Sequence, residues 1–236
     1  MRARILLLGL AFVAGAAVAQ SAEERLFDAI GEGKELVAEG IVVSGKVNPN
    51  ARNALGETPL HRAVEKGMKE LSMALVKSGT SLRARSNSGE TVLHLAALHA
   101  DPALAEFLLA NGADARARND DGESPLHWAA LSGNPAVVAL LLGKGADADL
   151  ADIKGNRPLH AAADSGNIET VRLLLARSAD PKAKNRDGLS AEDVANERAR
   201  PDVAAMLSGA VARPASPSGT TNFGTIDVDQ QPKQRF

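Results

Sequence analysis

The feature that most constrains this 236-residue chain is a Leu-His pair that returns every 33 residues. A fifth, decayed copy of the surrounding segment begins at Ser190. A fixed period of this length indicates stacked supersecondary units, each of which contacts only its neighbours, instead of one globular core. Such a stack offers a long surface and is better suited to recognition than to chemistry. The histidines of the four complete copies are His61, His94, His127 and His160.

The composition favours closely packed helices. The chain has five Phe, one Trp and no Tyr, so the core must be built from Ala, Leu and Val. It also has no cysteine, which excludes disulfides, Cys-ligated zinc and thiol catalysis. No Gly-rich phosphate loop, nucleophile elbow or paired-histidine zinc helix occurs, and we predict no cofactor.

One unit, residues 119–151, shows how each repeat is expected to fold. A turn containing Gly122 precedes Ser124-Pro125, where Ser can cap a helix and Pro suits its first position. Asn134-Pro135 repeats this signal and opens a second helix. Apolar residues follow each start at helical spacing. The unit is therefore predicted to be a turn, a helix, a second turn and a second helix.

This unit, with Thr-Pro-Leu-His at 58–61 and Gly-Ala-Asp at 145–147, resembles the ankyrin repeat. The resemblance implies an all-α solenoid of stacked antiparallel helix pairs with projecting β-turns. It further implies protein–protein recognition through the turn tips and the concave face, with no enzymatic activity. The resemblance covers four full repeats, at 53–85, 86–118, 119–151 and 152–184.

The ends of the ankyrin-repeat domain, predicted at 20–208, are atypical, as expected of capping repeats. We predict an N-terminal cap at 23–52, in which Leu26, Ala29, Ile30 and Leu36 are expected to keep the apolar register, and a C-terminal cap at 185–208. With these caps the stack has about six units. Residues 209–236 have linker composition and are predicted to be a disordered tail.

The N-terminus is predicted to be a signal peptide, residues 1–19. Arg2 and Arg4 precede the apolar run 5–18, and small residues at 17 and 19 suit a cleavage site before Gln20. A retained membrane anchor is the alternative. Removal of the two arginines changes the formal charge from −2 to −4, so nucleic acid is not an expected partner. We expect a monomer without membrane contact after cleavage, in the bacterial periplasm or, alternatively, outside the cell.

The histidines of the repeat are not predicted to bind a metal. Equivalent residues of stacked helices lie roughly 10 Å apart, whereas zinc needs ligand atoms at about 2 Å. In the ankyrin repeats that the chain resembles, the histidine of this motif is structural and hydrogen-bonds between the loops of adjacent units.

Partner contacts are expected at positions that do not recur. Leu98, His99, Trp128 and Leu131 are predicted to cluster on the inner helices of the two central repeats, with Trp128 as an anchor. For Trp128 by itself, partial packing in the core is the alternative. For His99, a solvated surface residue and a contact residue are both open interpretations. Further candidates are the turn-tip residues Leu55 and Ile153, and Asp164.

A row of basic residues follows the turns. Its recurrence at 33-residue spacing favours a solvated feature of the repeat, and an acidic protein partner is the alternative. The row consists of Arg52, Arg83, Arg85, Arg116, Arg118, Lys182 and Lys184.

Within the class of interaction modules, two biological roles are open. The first is an accessory protein that stabilises an exported partner. The second is an immunity or inhibitor protein that neutralises a secreted toxic hydrolase. A purely structural scaffold and an enzyme are further alternatives from other classes.

Overall fold

The computed structural model describes residues 20–209, which form twelve helices in six consecutive pairs. Within this range there is no strand beyond an isolated bridge between Lys184 and Ser190. The predicted all-α repeat solenoid is confirmed. The predicted signal peptide lies outside the described residues, as does the predicted tail after Gly209.

Each pair consists of an inner and an outer helix in chain order. The first helices are Ala22–Gly31 (α1), Pro59–Glu65 (α3), Val92–Ala96 (α5), Pro125–Leu131 (α7), Pro158–Ser165 (α9) and Ala191–Glu197 (α11). The second helices are Glu35–Val43 (α2), Lys69–Lys77 (α4), Ala103–Ala110 (α6), Pro135–Gly143 (α8), Ile168–Leu175 (α10) and Pro201–Leu207 (α12).

The starts of the helices follow from the residues at their caps. Ser124 is the N-cap of α7, and Pro125 occupies the first helical position, where a missing N–H costs nothing. Asn134 caps α8 and accepts hydrogen bonds from the N–H groups of Ala136 and Val137 through its side-chain oxygen. Local sequence alone therefore sets where these two helices begin.

The core runs through the whole stack between the two layers of helices. In α7, Leu126, Ala129 and Ala130 are fully buried, and the small alanines let adjacent helices approach closely. In α8, the buried face includes Val138 and Leu141. Each fully buried leucine contributes roughly 1.5–3 kcal/mol relative to an exposed one. Because every unit adds such residues, the core has no single centre.

The prediction for Leu36 is wrong. Its side chain is 83% exposed, while Ala38 and Val42 of the same helix are buried. At 100° per residue, position 36 lies on the opposite side of α2 from the face that contacts α4. Leu36 therefore does not belong to the buried face of the second helix.

The turns form a continuous ladder along one edge of the stack. In each step, a backbone N–H at one tip donates to a carbonyl of the preceding tip. A Cβ on Gly56, which has a positive φ of 72°, would collide with Asn87 of the next tip. The ladder bonds are Asn87 N–Leu55 O at 2.8 Å, Asp120 N–Ser88 O at 3.0 Å, Ile153 N–Asp121 O at 2.9 Å and Arg186 N–Lys154 O at 2.9 Å.

None of the helices within residues 20–209 has the length and apolar character needed to cross a membrane.

Candidate interaction surface

The recurring histidines join each of the four complete repeats to the unit that follows it. His94 Nδ1 accepts a hydrogen bond from the backbone N–H of Thr91 at 3.1 Å, and His94 Nε2 lies 3.1 Å from the carbonyl oxygen of Glu123. Because Nδ1 accepts, the ring proton is on Nε2 and donates to that carbonyl. The other three rings bond in the same way, from His61 to Glu90 O, His127 to Asn156 O and His160 to Leu189 O.

These hydrogen bonds require neutral rings. Burial lowers the pKa of His94 to about 4, and burial also lowers the pKa of His61, His127 and His160. A protonated Nδ1 could no longer accept the N–H at the start of its own helix. Each histidine therefore caps its helix and reaches the next turn only in its uncharged form.

Asp193 takes the histidine position in the last unit, 33 residues after His160. Its carboxylate accepts from the backbone N–H and the hydroxyl of Ser190, at 2.8 and 2.6 Å. These hydrogen bonds lower the pKa of Asp193. A carboxylate can cap its own helix but has no proton to donate onward. The 33-residue register could have revealed this replacement from the sequence.

The basic row in the turns is largely engaged within the molecule. Arg52 donates to the carbonyls of Gly56 and Arg85, at 2.8 and 2.7 Å, and so joins two turns. Arg118 joins Gly122 O to Ala151 O in the same way. The guanidinium groups of these two arginines therefore bind backbone carbonyls of the turns. This role differs from both sequence-based interpretations, which were a solvated feature of the repeat and a contact with an acidic protein partner.

His99 also bonds within the stack. Its Nε2 lies 2.6 Å from the carbonyl oxygen of Val64, and Asn134 Nδ2 donates to the His99 carbonyl at 2.8 Å. The side chain is half-buried. The simple solvated interpretation of His99 is therefore wrong, because the residue links the unit before it to the unit after it.

The predicted cluster on the central inner helices is divided. Leu98 and Leu131 are one repeat apart and similarly exposed, at 49% and 51%. They nevertheless line different depressions, and Leu98 lies beside Ala100 and Pro135. Leu55 and Ile153 are exposed at separate turn tips. Of the seven predicted contact residues, only Trp128, Leu131 and Asp164 come together.

These three residues line a groove of about 300 Å³ along the turns and first helices of the last three units. We call it the C-terminal groove. Trp128 is held in place by a hydrogen bond from Nε1 to Glu123 Oε2 at 2.8 Å and by edge-to-face packing on His94, with ring centroids 5.5 Å apart. The apolar side chains of the groove are Trp128, Leu131, Ala161, Leu189 and Val194.

The polar lining of the C-terminal groove is predominantly acidic. The lining contains four carboxylates and one guanidinium, so its net charge is −3 when its histidines are neutral. The guanidinium is partly neutralised already, because Arg198 Nε pairs with Asp164 Oδ1 at 2.8 Å. The charged residues of the lining are Glu123, Asp152, Asp164, Glu197 and Arg198.

A larger depression of about 520 Å³ lies beside the groove and shares Leu131 and Asp164 with it. Its other lining residues belong mostly to the connections between helices, including Gly133, Gly166 and Asn167, and it contains no aromatic side chain. A rigid aromatic anchor and convergent charges favour tight recognition. We therefore take the C-terminal groove as the candidate interaction surface.

The family model for ankyrin repeats, which describes three copies, matches residues 26–119 and, in a second match, residues 93–185. Together the two matches span more than half of the chain. The chain belongs to the ankyrin-repeat family. No curated protein matches it. Ankyrin repeats indicate a protein–protein interaction module, and their fold is typically a non-catalytic scaffold.

The ankyrin-repeat assignment explains why the four histidines recur at a fixed step. The recurring residues join neighbouring repeats, whereas Trp128, Leu131 and Asp164 are specific to this surface. Among residues 20–209, no group of three or more His, Asp or Glu side chains is arranged to hold a metal ion. The sequence interpretation missed Glu123, Asp152 and Glu197, because only the stack brings these acids to one groove.

Proposed function

We propose that this ankyrin-repeat protein acts in the bacterial periplasm as an accessory protein that stabilises an exported partner. The N-terminal sequence supports the compartment through its basic, apolar and small-residue regions. The bound element of the partner would be a segment that carries both basic and apolar side chains. Export to the outside of the cell is the alternative location.

The observation that carries this proposal is the combination of the Trp128 and Leu131 side chains with a lining charge of −3. An aromatic anchor supplies apolar contact area, since tryptophan is among the residues that most often dominate binding energy. The carboxylates attract a cationic partner and disfavour acidic ones. Because the groove crosses three units, an extended segment could contact all of them.

The decisive experiment compares Leu131→Lys with Leu98→Lys in affinity capture from a periplasmic extract. Both leucines are half-exposed and occupy the same repeat position, but only Leu131 lines the C-terminal groove. We expect Leu131→Lys to lose the captured partner, while Leu98→Lys retains it. Retention by both variants would contradict the proposed groove.

The effect on the captured protein then separates two biological roles. An accessory protein would raise the thermal stability of its partner and leave the partner's activity intact. An immunity protein would inhibit a hydrolase that is toxic to the producing cell. We favour the accessory role, and inhibition of a captured hydrolase by the wild-type protein would overturn that choice.

A further inference from the structure

The C-terminal groove sets clear requirements for what can occupy it. Its net charge of −3 calls for a cationic segment, and the exposed half of Leu131 beside Trp128 calls for an apolar side chain next to those charges. An occupant with acidic residues alone would be repelled.

Residues 233–236 meet both requirements. They read Lys-Gln-Arg-Phe, with two cations and an aromatic side chain within four positions. Bound in an extended form, Lys233 and Arg235 would point to one side and Phe236 to the other, because side chains alternate along an extended backbone. We propose that residues 233–236 bind the C-terminal groove of their own molecule and compete there with its partner.

The geometry of the last unit permits this contact. Gly209 follows α12, which packs on α11, and α11 and the residue after it supply Val194, Glu197 and Arg198 to the groove. The chain between Gly209 and Lys233 has 23 residues and spans at most about 80 Å when extended. The groove crosses three units with helix spacings of roughly 10 Å. Lys233 can therefore reach every part of the groove.

Attachment to the same chain gives this segment an advantage over a free ligand. A tethered segment of this kind has an effective concentration on the order of millimolar. Even a weak contact would then keep the groove largely occupied, and a partner would have to displace it. This consequence rests on the proposed function, whereas the contact itself depends only on the groove and the segment.

Trp128 allows the contact to be measured directly, because it is the single tryptophan of the chain and lines the groove. The experiment compares acrylamide quenching of its fluorescence in the wild type and in Lys233→Glu/Arg235→Glu. A matched control, Lys66→Glu/Lys69→Glu, makes the same change in net charge at exposed positions of another unit. We expect about twofold stronger quenching in the tail variant only, since a millimolar effective concentration keeps the wild-type groove occupied.

Adding a peptide or salt to these proteins tests whether the contact is electrostatic, and varying the protein concentration tests whether it is intramolecular. A peptide of residues 228–236 should restore protection in the tail variant, and about 1 M NaCl should abolish protection in the wild type, since the Debye length is then about 3 Å. Equal quenching in all three proteins would overturn the proposal. Protection that increases with protein concentration would overturn it as well, because the segment would then bind another copy.

The outcomes separate this proposal from the proposed function. A tail-dependent change in quenching, together with full partner capture by Leu131→Lys, would support the tail contact and reject the partner site. Loss of capture by Leu131→Lys without any change in quenching would support the partner site and reject the tail contact.

Discussion

The internal repeats and the two end units of the stack use different residues to cap the start of their first helix. Between internal repeats, a neutral histidine caps its own helix and donates to the following turn. At the ends, a carboxylate caps the first helix, with Glu24 bonding to Ser21 and Asp193 to Ser190. A ring with one acceptor and one donor serves two units, whereas a carboxylate serves one. The capping residue of the first helix therefore distinguishes the internal repeats from the two end units.

The two ends differ from each other on their outer faces. Leu36 and Val43 on α2 are 83% and 79% exposed. In the last unit, the corresponding positions are Asp202 and Gly209, both exposed. A terminal repeat normally presents a polar outer face, because nothing packs against it. The C-terminal end satisfies this expectation, while the N-terminal end carries two large apolar side chains.

The largest predicted effect breaks an internal junction. His94→Ala removes the acceptor of Thr91 N–H and the donor to Glu123 O, and it leaves a cavity beside Trp128. We expect a loss of about 3–5 kcal/mol in the free energy of unfolding, measured by urea denaturation at neutral pH. Asp193→Ala removes only a terminal cap and should cost about 1 kcal/mol. Equal losses would contradict the bridging role of His94.

The second prediction concerns the pH dependence of the free energy of unfolding, which should differ between the internal junctions and the C-terminal end. The pKa of His94 falls from 6.5 in the unfolded chain to about 4 in the folded protein, so the unfolded chain binds more protons between these values. The contribution of neutral His94 to the free energy of unfolding is complete above pH 6.5 and is lost as the pH falls through 4. For His94 alone this amounts to about 3 kcal/mol.

Urea denaturation at a series of pH values checks this dependence. Because the pKa of Asp193 is lowered in the folded protein, the contribution of this carboxylate to the free energy of unfolding is lost only below pH 3.8, the ordinary pKa of an aspartate. As the pH is lowered, the free energy of unfolding should therefore decrease first because the internal histidines become protonated. At lower pH it should decrease further because Asp193 becomes protonated. His94→Ala should show a shallower dependence between pH 6.5 and 4, and a flat wild-type profile in that range would contradict the neutral-histidine bridges.

The smallest predicted effect concerns the outer face of the N-terminal end. Leu36→Glu/Val43→Lys places polar groups where solvent already surrounds the side chains. The free energy of unfolding should change by less than about 0.5 kcal/mol. Leu26→Ala, at a fully buried position of the same unit, should cost about 3 kcal/mol. A loss above about 1 kcal/mol for the double variant would show that this face is covered, since truly exposed substitutions rarely cost that much.

Much of the fold could be predicted because its signals are local and repeated. Ser124-Pro125 and Asn134-Pro135 mark helix starts within a few residues, and the 33-residue register aligns four such units. Leu36 was placed wrongly because a short helix with apolar residues on both sides does not reveal which side faces its neighbour. The weakest predictions thus lie at the ends, where the repeat gives no second copy for comparison.

The interaction surface was predictable only in part. Trp128, Leu131 and Asp164 lie outside the recurring Leu-His motif, and all three line the C-terminal groove. Leu98 has the same local features as Leu131 but lies outside the groove. The distinction depends on the following units, which add Leu189 and Val194 to the lining of the groove that contains Leu131. Local sequence around either leucine contains no such information.

The sequence by itself determined the repeat length, the helix starts and the order of the units, because hydrogen-bonding caps and apolar spacing act over a few residues. Only the tertiary structure decided which side chains share a surface. Glu123 and Glu197 are 74 positions apart in the chain, yet both line the C-terminal groove. Stacking brings them together through the rise and rotation from one unit to the next, which depend on packing between units.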